Sequence, residues 1–509
     1  MTNVLEYLEQ SAAKYPDKTA FADEESSCSW QELKERAQRI GSALAGRTMP
    51  GSPIAVWMEK SVDTVAAFLG IVYAGCFYVM LDKKQPIQRI RQILDTLEQP
   101  LIITDENGEK EQEKIKQAGN SDLQILEYDS LKQGETDLAA LQEIRRNGTD
   151  LMPLYGIFTS GSTGVPKGVV VSHRSVLDFM DYFTDNFGIT KKDVIGNQAP
   201  FDFDVSVKDI YSALKTGATV QIIPKRMFSI PTQLLDFLSE REVTTLIWAV
   251  SALCIVSQLD GFSYRVPDTV NKVLFSGEVM PIHHLNIWRS YLPDAMYVNL
   301  YGPTEITCNC TYYIVDREFA PGDVLPIGKP FQNEKVFLLD EDDKLVERPN
   351  VRGEICVSGT ALSLGYYNNE EQTRKAFVQN PLNCRYQETI YRTGDLGYYD
   401  EDKELYYATR KDFQIKHMGH RIELGEIEKA MEKTGEISRV CCIFDEDSKK
   451  IIAFYQGTGE KRAIVKELRK MIPPFMIPNV FCRRDSLPLT KNGKIDRAAL
   501  KQSLQEESQ

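Results

Sequence analysis

At 509 residues the chain is too long for one compact core, and two to four domains or subdomains are expected. Hydrophobic residues make up 42% and charged residues 26%, which excludes disordered and fibrous classes. The net charge of −13, from 60 basic and 73 acidic residues, argues against nucleic acid as the main partner, because phosphate backbones bind to positive fields.

From the N-terminus, Val4, Leu5, Leu8 and Ala12 share one helical face, and Leu33, Ala37, Ile40 and Leu44 share another. Residues 4–46 are therefore expected to be helical. The opening MTNVLEYLEQSAAKYPDK has no uninterrupted apolar stretch of signal-peptide type. The run Val65–Leu81 is apolar enough to mimic a membrane span, but Gly70 and Gly75 interrupt it and Cys76–Leu81 is β-prone. Helix, Ala-Gly turn and strand are expected there, with no membrane insertion.

Beyond this point short apolar runs alternate with helical stretches. Ile54–Trp57, Leu101–Thr104, Gly156–Phe158, Val169–Val171, Val220–Ile223, Thr245–Trp248, Lys272–Phe275 and Tyr297–Leu300 read as strands. This rhythm predicts α/β layers with largely parallel sheets. After residue 320 the pattern turns strand-rich, at Lys335–Leu339 and Gly353–Ser358, and predicts a smaller β subdomain. The last hundred residues look separate. They hold a helix over Glu423–Lys433, a hairpin of Val440–Phe444 with Ile451–Tyr455, a helix over Arg462–Met471 and a loop-rich tail after IPPFMIP. The ten cysteines form no CxxC pair and the five histidines show no metal-ligand spacing. Reduced thiols in a cytoplasmic protein are expected, and a zinc hydrolase is not.

Between two short strands lies Thr159-Ser160-Gly161-Ser162-Thr163-Gly164-Val165-Pro166-Lys167-Gly168. Hydroxyls, glycines and one lysine suit a triphosphate, which needs close backbone approach, short donors and a counter-charge. A Walker loop fails, because Pro166 takes the glycine place and Gly168 follows the lysine. A polar surface hairpin is the alternative.

The string TSGSTGVPKGVVVSH, with YGPTE at Tyr301–Glu305, YRTGDL at Tyr391–Leu396 and NGKIDR at Asn492–Arg497, resembles the adenylate-forming superfamily. The chain looks most like adenylation domains of nonribosomal peptide synthetases and the related D-alanine–carrier protein ligases. The likeness runs in order from YAGCFYVMLDKKQP at Tyr73–Pro86 to the tail. It implies an N-terminal adenylation core over 1–411 and a mobile α+β C-terminal domain over 412–509, with the hinge near Asp412.

The resemblance also implies site residues. Thr159, Ser160, Gly161, Ser162, Thr163, Gly164, Lys167 and Thr304 would hold the ATP phosphates, and Glu305 would help carry Mg²⁺, a hard cation that favours oxygen. Tyr301 would offer adenine a flat face, with Asn299 on the base edge and Gly302 also in the nucleotide site. Asp395 would accept from the ribose hydroxyls, with Arg410 beside it. Lys494 would neutralise charge building on the carboxylate and α-phosphate, a contribution worth about 10²–10³ in rate by analogy with other preorganised donors. Lys416, after the hinge, is a candidate for the opposite domain face. Thr409 stands where glycine is usual, and His420 also departs from the pattern.

QAPFDFDVSVKDIY matches the segment that opens the acyl pocket. Asp204 falls where amino-acid activators pair with the substrate ammonium. The other pocket positions are Val205, Lys208, Trp248, Leu274, Ser276, Leu300, Cys308 and Asn309. Lys208, four residues after Asp204, either reads an acidic or carbonyl-bearing side chain or pairs with Asp204 itself. No phosphopantetheine-site sequence follows NGKIDR, so a stand-alone monomer loading a separate carrier protein is expected, a domain cut from a larger synthetase being the alternative. Other readings are an acyl- or aryl-CoA ligase and a non-catalytic nucleotide-binding relative.

Overall fold

The computed structural model describes residues 1–105, 108–119, 123–161, 164–446, 448–489 and 495–507. Lys494, Ser162 and Thr163 lie outside the described residues.

Two layered α/β units carry the large N-terminal part. In the first, the strands Met296–Tyr301, Lys272–Ser276, Thr245–Ala249, Val194–Asn197, Thr219–Ile222 and Thr19–Ala22 lie side by side and parallel. In the second, Pro153–Thr159, Phe77–Met80, Pro53–Trp57, Leu101–Thr104 and Ile125–Glu127 are parallel, and Lys167–Ser172 turns back antiparallel on Pro153–Thr159. Connections between parallel neighbours need crossovers, which is why helices interrupt the apolar runs. An antiparallel sheet follows, built from Glu334–Leu339, Gly353–Gly359, Thr389–Tyr399, Phe377–Gln379 and Leu405–Arg410.

Past residue 411 the hairpin Gln414–His417/His420–Glu423 leads into a smaller portion. There the antiparallel strands Ile437–Asp445 and Lys450–Gly457 bury their apolar faces, one of them against the helices Leu424–Glu432 and Lys461–Met471. The two clusters that form this core, one from Ile422 to Met476 and one from Cys441 to Leu500, draw only on residues after 414. The architecture is mixed α/β, a large N-terminal domain with a smaller C-terminal portion. Among the described residues no helix is long and apolar enough to cross a membrane.

Two local expectations change and one holds. Residues 4–46 are not continuously helical: Leu5–Lys14 and Trp30–Leu44 are separate helices, with strands Thr19–Ala22 and Ser27–Ser29 between them. Ser29 and Glu32 form a reciprocal capping box that starts the second helix. Val65–Leu81 divides as expected, into the helix Val62–Tyr73 and the strand Phe77–Met80. The tail is less loop-rich than its sequence suggests, since Val480–Arg483 adds a parallel strand and Arg497–Glu507 a helix.

The helices Trp30–Leu44 and Val62–Tyr73 meet through glycine. A Cβ on Gly70 would lie 2.4 Å from Ile40 Cγ2, and one on Gly41 would lie 2.5 Å from the Tyr73 Cβ. Backbones this close leave no volume for a side chain. Gly70→Leu is expected to lower the unfolding free energy by roughly 1–3 kcal/mol through overpacking, seen as a lower urea midpoint. An unchanged midpoint would show that the helices part without cost.

Candidate active site

The site lies where the carboxyl ends of the parallel strands, the glycine-rich hairpin and the hairpin after residue 411 converge. Thr159 and Lys167 pair across the mouth of the phosphate loop. A Cβ on Gly161 would lie 2.1 Å from the Val165 carbonyl oxygen, so the loop closes this tightly only with glycine there. The buried Thr159 hydroxyl has no hydrogen-bond partner among the described residues, a donor of the kind a phosphate oxygen would accept. Lys167 lies over the Tyr366 ring at 5.1 Å, and burial together with nearby Arg421 lowers its pKa.

After the strand Met296–Tyr301 the chain folds sharply back. A Cβ on Gly302 would lie 2.5 Å from the Asn309 Cα, which explains the glycine and draws Asn309 and Cys308 behind the loop. This turn buries Glu305 completely. Its carboxylate accepts from the Tyr366 hydroxyl at 2.7 Å and from Arg421 Nη1 at 2.8 and 3.0 Å. Burial alone would raise its pKa, but Arg421 and Lys167 outweigh that and hold it down at about 2. Among the described residues no group of three or more His, Cys, Asp or Glu could hold a metal by itself. Magnesium commonly takes only one or two protein carboxylates and fills its shell with phosphate oxygens and water. The single buried carboxylate of Glu305 matches that need for one protein oxygen ligand.

A polar chain marks the expected nucleoside end. The Tyr301 hydroxyl donates to Asp395 Oδ2 at 2.6 Å, and Arg410 Nη1 donates to Oδ1 at 2.6 Å. Arg410 also grips Asp412 with Nε and Nη2, at 2.6 and 2.8 Å. Asp395 and Arg410 face each other across antiparallel strands, so the sheet register sets this pairing. A carboxylate has about four acceptor positions, and Asp395 keeps two for further donors. Asn299 turns its amide to the Pro326 carbonyl at 2.8 Å. Lys416 lies over the Tyr301 ring, 5.6 Å from its centroid, on the side of the site that the hairpin Gln414–His417/His420–Glu423 supplies.

Apart from Trp248, the residues expected to line an acyl pocket gather at the start of the helix Val205–Thr216, which Asp204 precedes. Lys208 is only 1% exposed, and its ammonium donates to Asn309 Oδ1 at 2.8 Å and Ser276 Oγ at 3.2 Å. It forms no ion pair with Asp204. The Cys308 thiol meets the Asp204 carbonyl at 3.1 Å. Burial lowers the Lys208 pKa and raises that of the Asp204 carboxyl, which the Thr304 hydroxyl and Lys208 pull the other way. Leu274, Leu300 and Cys308 share one core cluster with Val207 and Ile210 of this helix, and Val205 opens the helix at its partly exposed end.

Trp248 does not belong to this wall. It pairs in register with Phe275, on the sheet face opposite Leu274 and Ser276, and donates to the Gly196 carbonyl at 2.7 Å. Strand alternation decides this: Ile247 and Ala249, paired with Leu274 and Ser276, are the residues on that face. Arg421 and Tyr366 also carry site contacts that the motifs did not single out. Their signal in sequence is weak, because each reads as an ordinary surface arginine or strand tyrosine.

The C-terminal portion is held against the core at further points. Arg89 and Glu426 form a buried ion pair, and the Gly419 amide donates to Glu278. His420 stacks on Phe475 with centroids 3.5 Å apart and meets Phe203 of the core edge-on at 4.8 Å. Burial, aided by Lys225, His417 and Arg89, pushes its pKa down from 6.5 to about 4. Because the docked value lies below the free one, the neutral ring stabilises docking fully above pH 6.5, and that stabilisation is lost as pH falls through 4. Hydrogen exchange in Gln414–Glu423, corrected for intrinsic rates, is expected to quicken across that window, and His420→Phe to flatten the response. Equal pH dependence in both proteins would contradict this.

The AMP-binding enzyme family profile matches residues 8–367. Zwittermicin A synthase ZmaJ of Bacillus cereus is 32% identical over 525 residues, covering 98% of this chain and 94% of that protein. Tyrocidine synthase 1 of Brevibacillus parabrevis is also 32% identical, over 506 residues, but the chain spans only 45% of its length. The Vibrio cholerae adenylation domain AlmE, solved with glycyl-adenosine-5'-phosphate, superposes with a TM-score of 0.85 at 20% identity, covering 99% of this chain and 98% of that one, and shares the fold. With its glycine-rich hairpin, its buried Glu305 and its Tyr301–Asp395–Arg410 chain, the protein belongs to the AMP-binding enzyme family and is an adenylate-forming enzyme of the nonribosomal peptide synthetase adenylation type.

Proposed function

We propose that the chain condenses ATP with an amino acid bearing a carboxylate or carbonyl in its side chain, forming the aminoacyl-AMP and pyrophosphate. It then passes the acyl group to the phosphopantetheine thiol of a separate carrier protein. In this reading 1–411 binds ATP and acid, and 412–509 turns about Asp412 between the two half-reactions. Such gating by domain rotation is physically ordinary.

One observation carries the substrate class. The buried Lys208 ammonium donates to two neutral acceptors, Ser276 and Asn309, and not to Asp204, whose carboxyl the Thr304 hydroxyl meets. A buried cation with neutral partners is costly, and an anionic or strongly accepting ligand atom offsets that cost. Asp204, at the partly exposed end of the same helix, is then free to meet the substrate ammonium one turn away. The two groups orient the acid from both ends.

Around the nucleotide, the hydroxyls of Thr159, Ser160 and Thr304 and the ammonium of Lys167 would receive phosphate oxygens. Asp395 would use its remaining acceptor positions on the ribose, with Arg410 holding one of its oxygens. Glu305 would hold magnesium, which supplies charge neutralisation for the triphosphate. Lys494 would offset charge on the reacting carboxylate and α-phosphate. Removing one such donor costs about 10²–10³ in rate.

ATP–pyrophosphate exchange over a panel of amino, hydroxy and aryl acids tests the reading. Exchange is expected to be strongest with acidic or amide-bearing amino acids, and absence of exchange with every amino acid would overturn it. Lys208→Met is expected to reverse the preference towards apolar side chains, whereas Asp204→Asn weakens every amino acid together. Lys494→Ala should slow exchange about 10²–10³-fold, and undiminished exchange would remove its role. Free coenzyme A offered against carrier protein in the thiol step separates the acyl-CoA ligase alternative.

A further inference from the structure

We propose that Gln414 is a ribose-binding residue whose side-chain amide shares the ribose hydroxyls of the bound adenylate with Asp395. The inference rests on the reading of Asp395 as the ribose-side carboxylate and adds the donor that completes that site.

Gln414 is 5% exposed, yet among the described residues neither Nε2 nor Oε1 of its side chain has a hydrogen-bond partner. A buried primary amide offers two N–H donors and a carbonyl acceptor, and leaving all of them empty is costly. Packing alone does not account for an amide there, because an apolar side chain of similar size fills the space without that cost.

The register of the hairpin shows what the amide faces. Gln414 pairs with Glu423 and Lys416 with Arg421, and paired residues of antiparallel strands share a face. On that face Lys416 lies over the Tyr301 ring and Arg421 holds Glu305. Ile415 and Ile422, on the other face, pack in the C-terminal core. Gln414 therefore faces the site, at the end of the hairpin next to Asp412. Its backbone amide donates to Asp412 Oδ1 at 3.2 Å, and Asp412 is gripped by Arg410, which holds Asp395. One chain of contacts thus ties Gln414 to the carboxylate expected on the ribose.

The chemistry selects the diol. An ionised carboxylate only accepts, so each hydroxyl that donates to Asp395 keeps oxygen lone pairs that take a donor. Arg410 already spends three of its nitrogens on Asp395 and Asp412. The Gln414 amide has donors to give and a carbonyl that can take a second hydroxyl proton. A phosphate oxygen would use the donors only and leave the carbonyl empty.

The test measures binding of AMP, 2'-deoxy-AMP and 3'-deoxy-AMP to the full chain by calorimetry. The parent protein should prefer AMP to at least one deoxynucleotide several-fold. In Gln414→Leu AMP should bind about three- to tenfold more weakly, the worth of one hydrogen bond. The deoxynucleotide that lacks the shared hydroxyl should lose little, so the preference shrinks, a change that a merely structural glutamine does not give. Gln414→Glu, which keeps the shape and withdraws the N–H donors, should shrink the preference too and serves if the leucine variant does not fold. An undiminished preference in the folded variants, whether or not all three nucleotides bind more weakly, would overturn the proposal and leave Asp395 its role. No preference, or no binding, in the parent protein would overturn the proposal and the ribose reading of Asp395 together.

Discussion

A fully buried carboxylate must be matched by positive charge, and Glu305 is that carboxylate here. Its partners come from different parts of the chain: Tyr366 from the short strand Gly365–Tyr366 laid against Lys167–Ser172, Arg421 from the C-terminal portion and Lys167 from the glycine-rich hairpin. No two of these elements can shift independently without exposing or orphaning the charge. The convergence of separate units on one point follows from this constraint.

Lys208 and its neighbours obey a second constraint of the same kind with the sign reversed. Lys208 is a buried ammonium whose partners are neutral, set by the ends of two strands and by the turn that Gly302 permits. Parallel strands with both faces covered bring their carboxyl ends to one edge, where loops can carry chemistry above a rigid floor. Polar pocket groups sit at that edge, with Leu274 and Leu300 packed beneath them.

Much of this was legible in the chain itself. The strand runs, the phosphate loop and the ordered motifs could be read because β-rich apolar segments and glycine–hydroxyl clusters have few other uses. Trp248 was misplaced because a strand buried on both faces is apolar throughout, so its parity is invisible until the register with Lys272–Ser276 is known. Arg421 was missed because its partner is 116 positions away and no local pattern marks it. The final helix carries few apolar residues besides Leu500 and Leu504, too weak a period to stand out from a loop. The fate of Lys208 also had to come from tertiary structure, since helical spacing alone made Asp204 its natural partner.

Bond cleavage at the α-phosphorus is the central chemical claim. It is tested most directly by supplying the activated amino acid with its α-carboxylate labelled in both oxygens with ¹⁸O, together with ATP and the thiol acceptor. Mass spectrometry of the nucleotide product should find AMP carrying one heavy oxygen, delivered when the carboxylate attacks the α-phosphorus and retained when the thiol displaces AMP. ADP with the heavy oxygen in inorganic phosphate, or unlabelled AMP, would contradict the account.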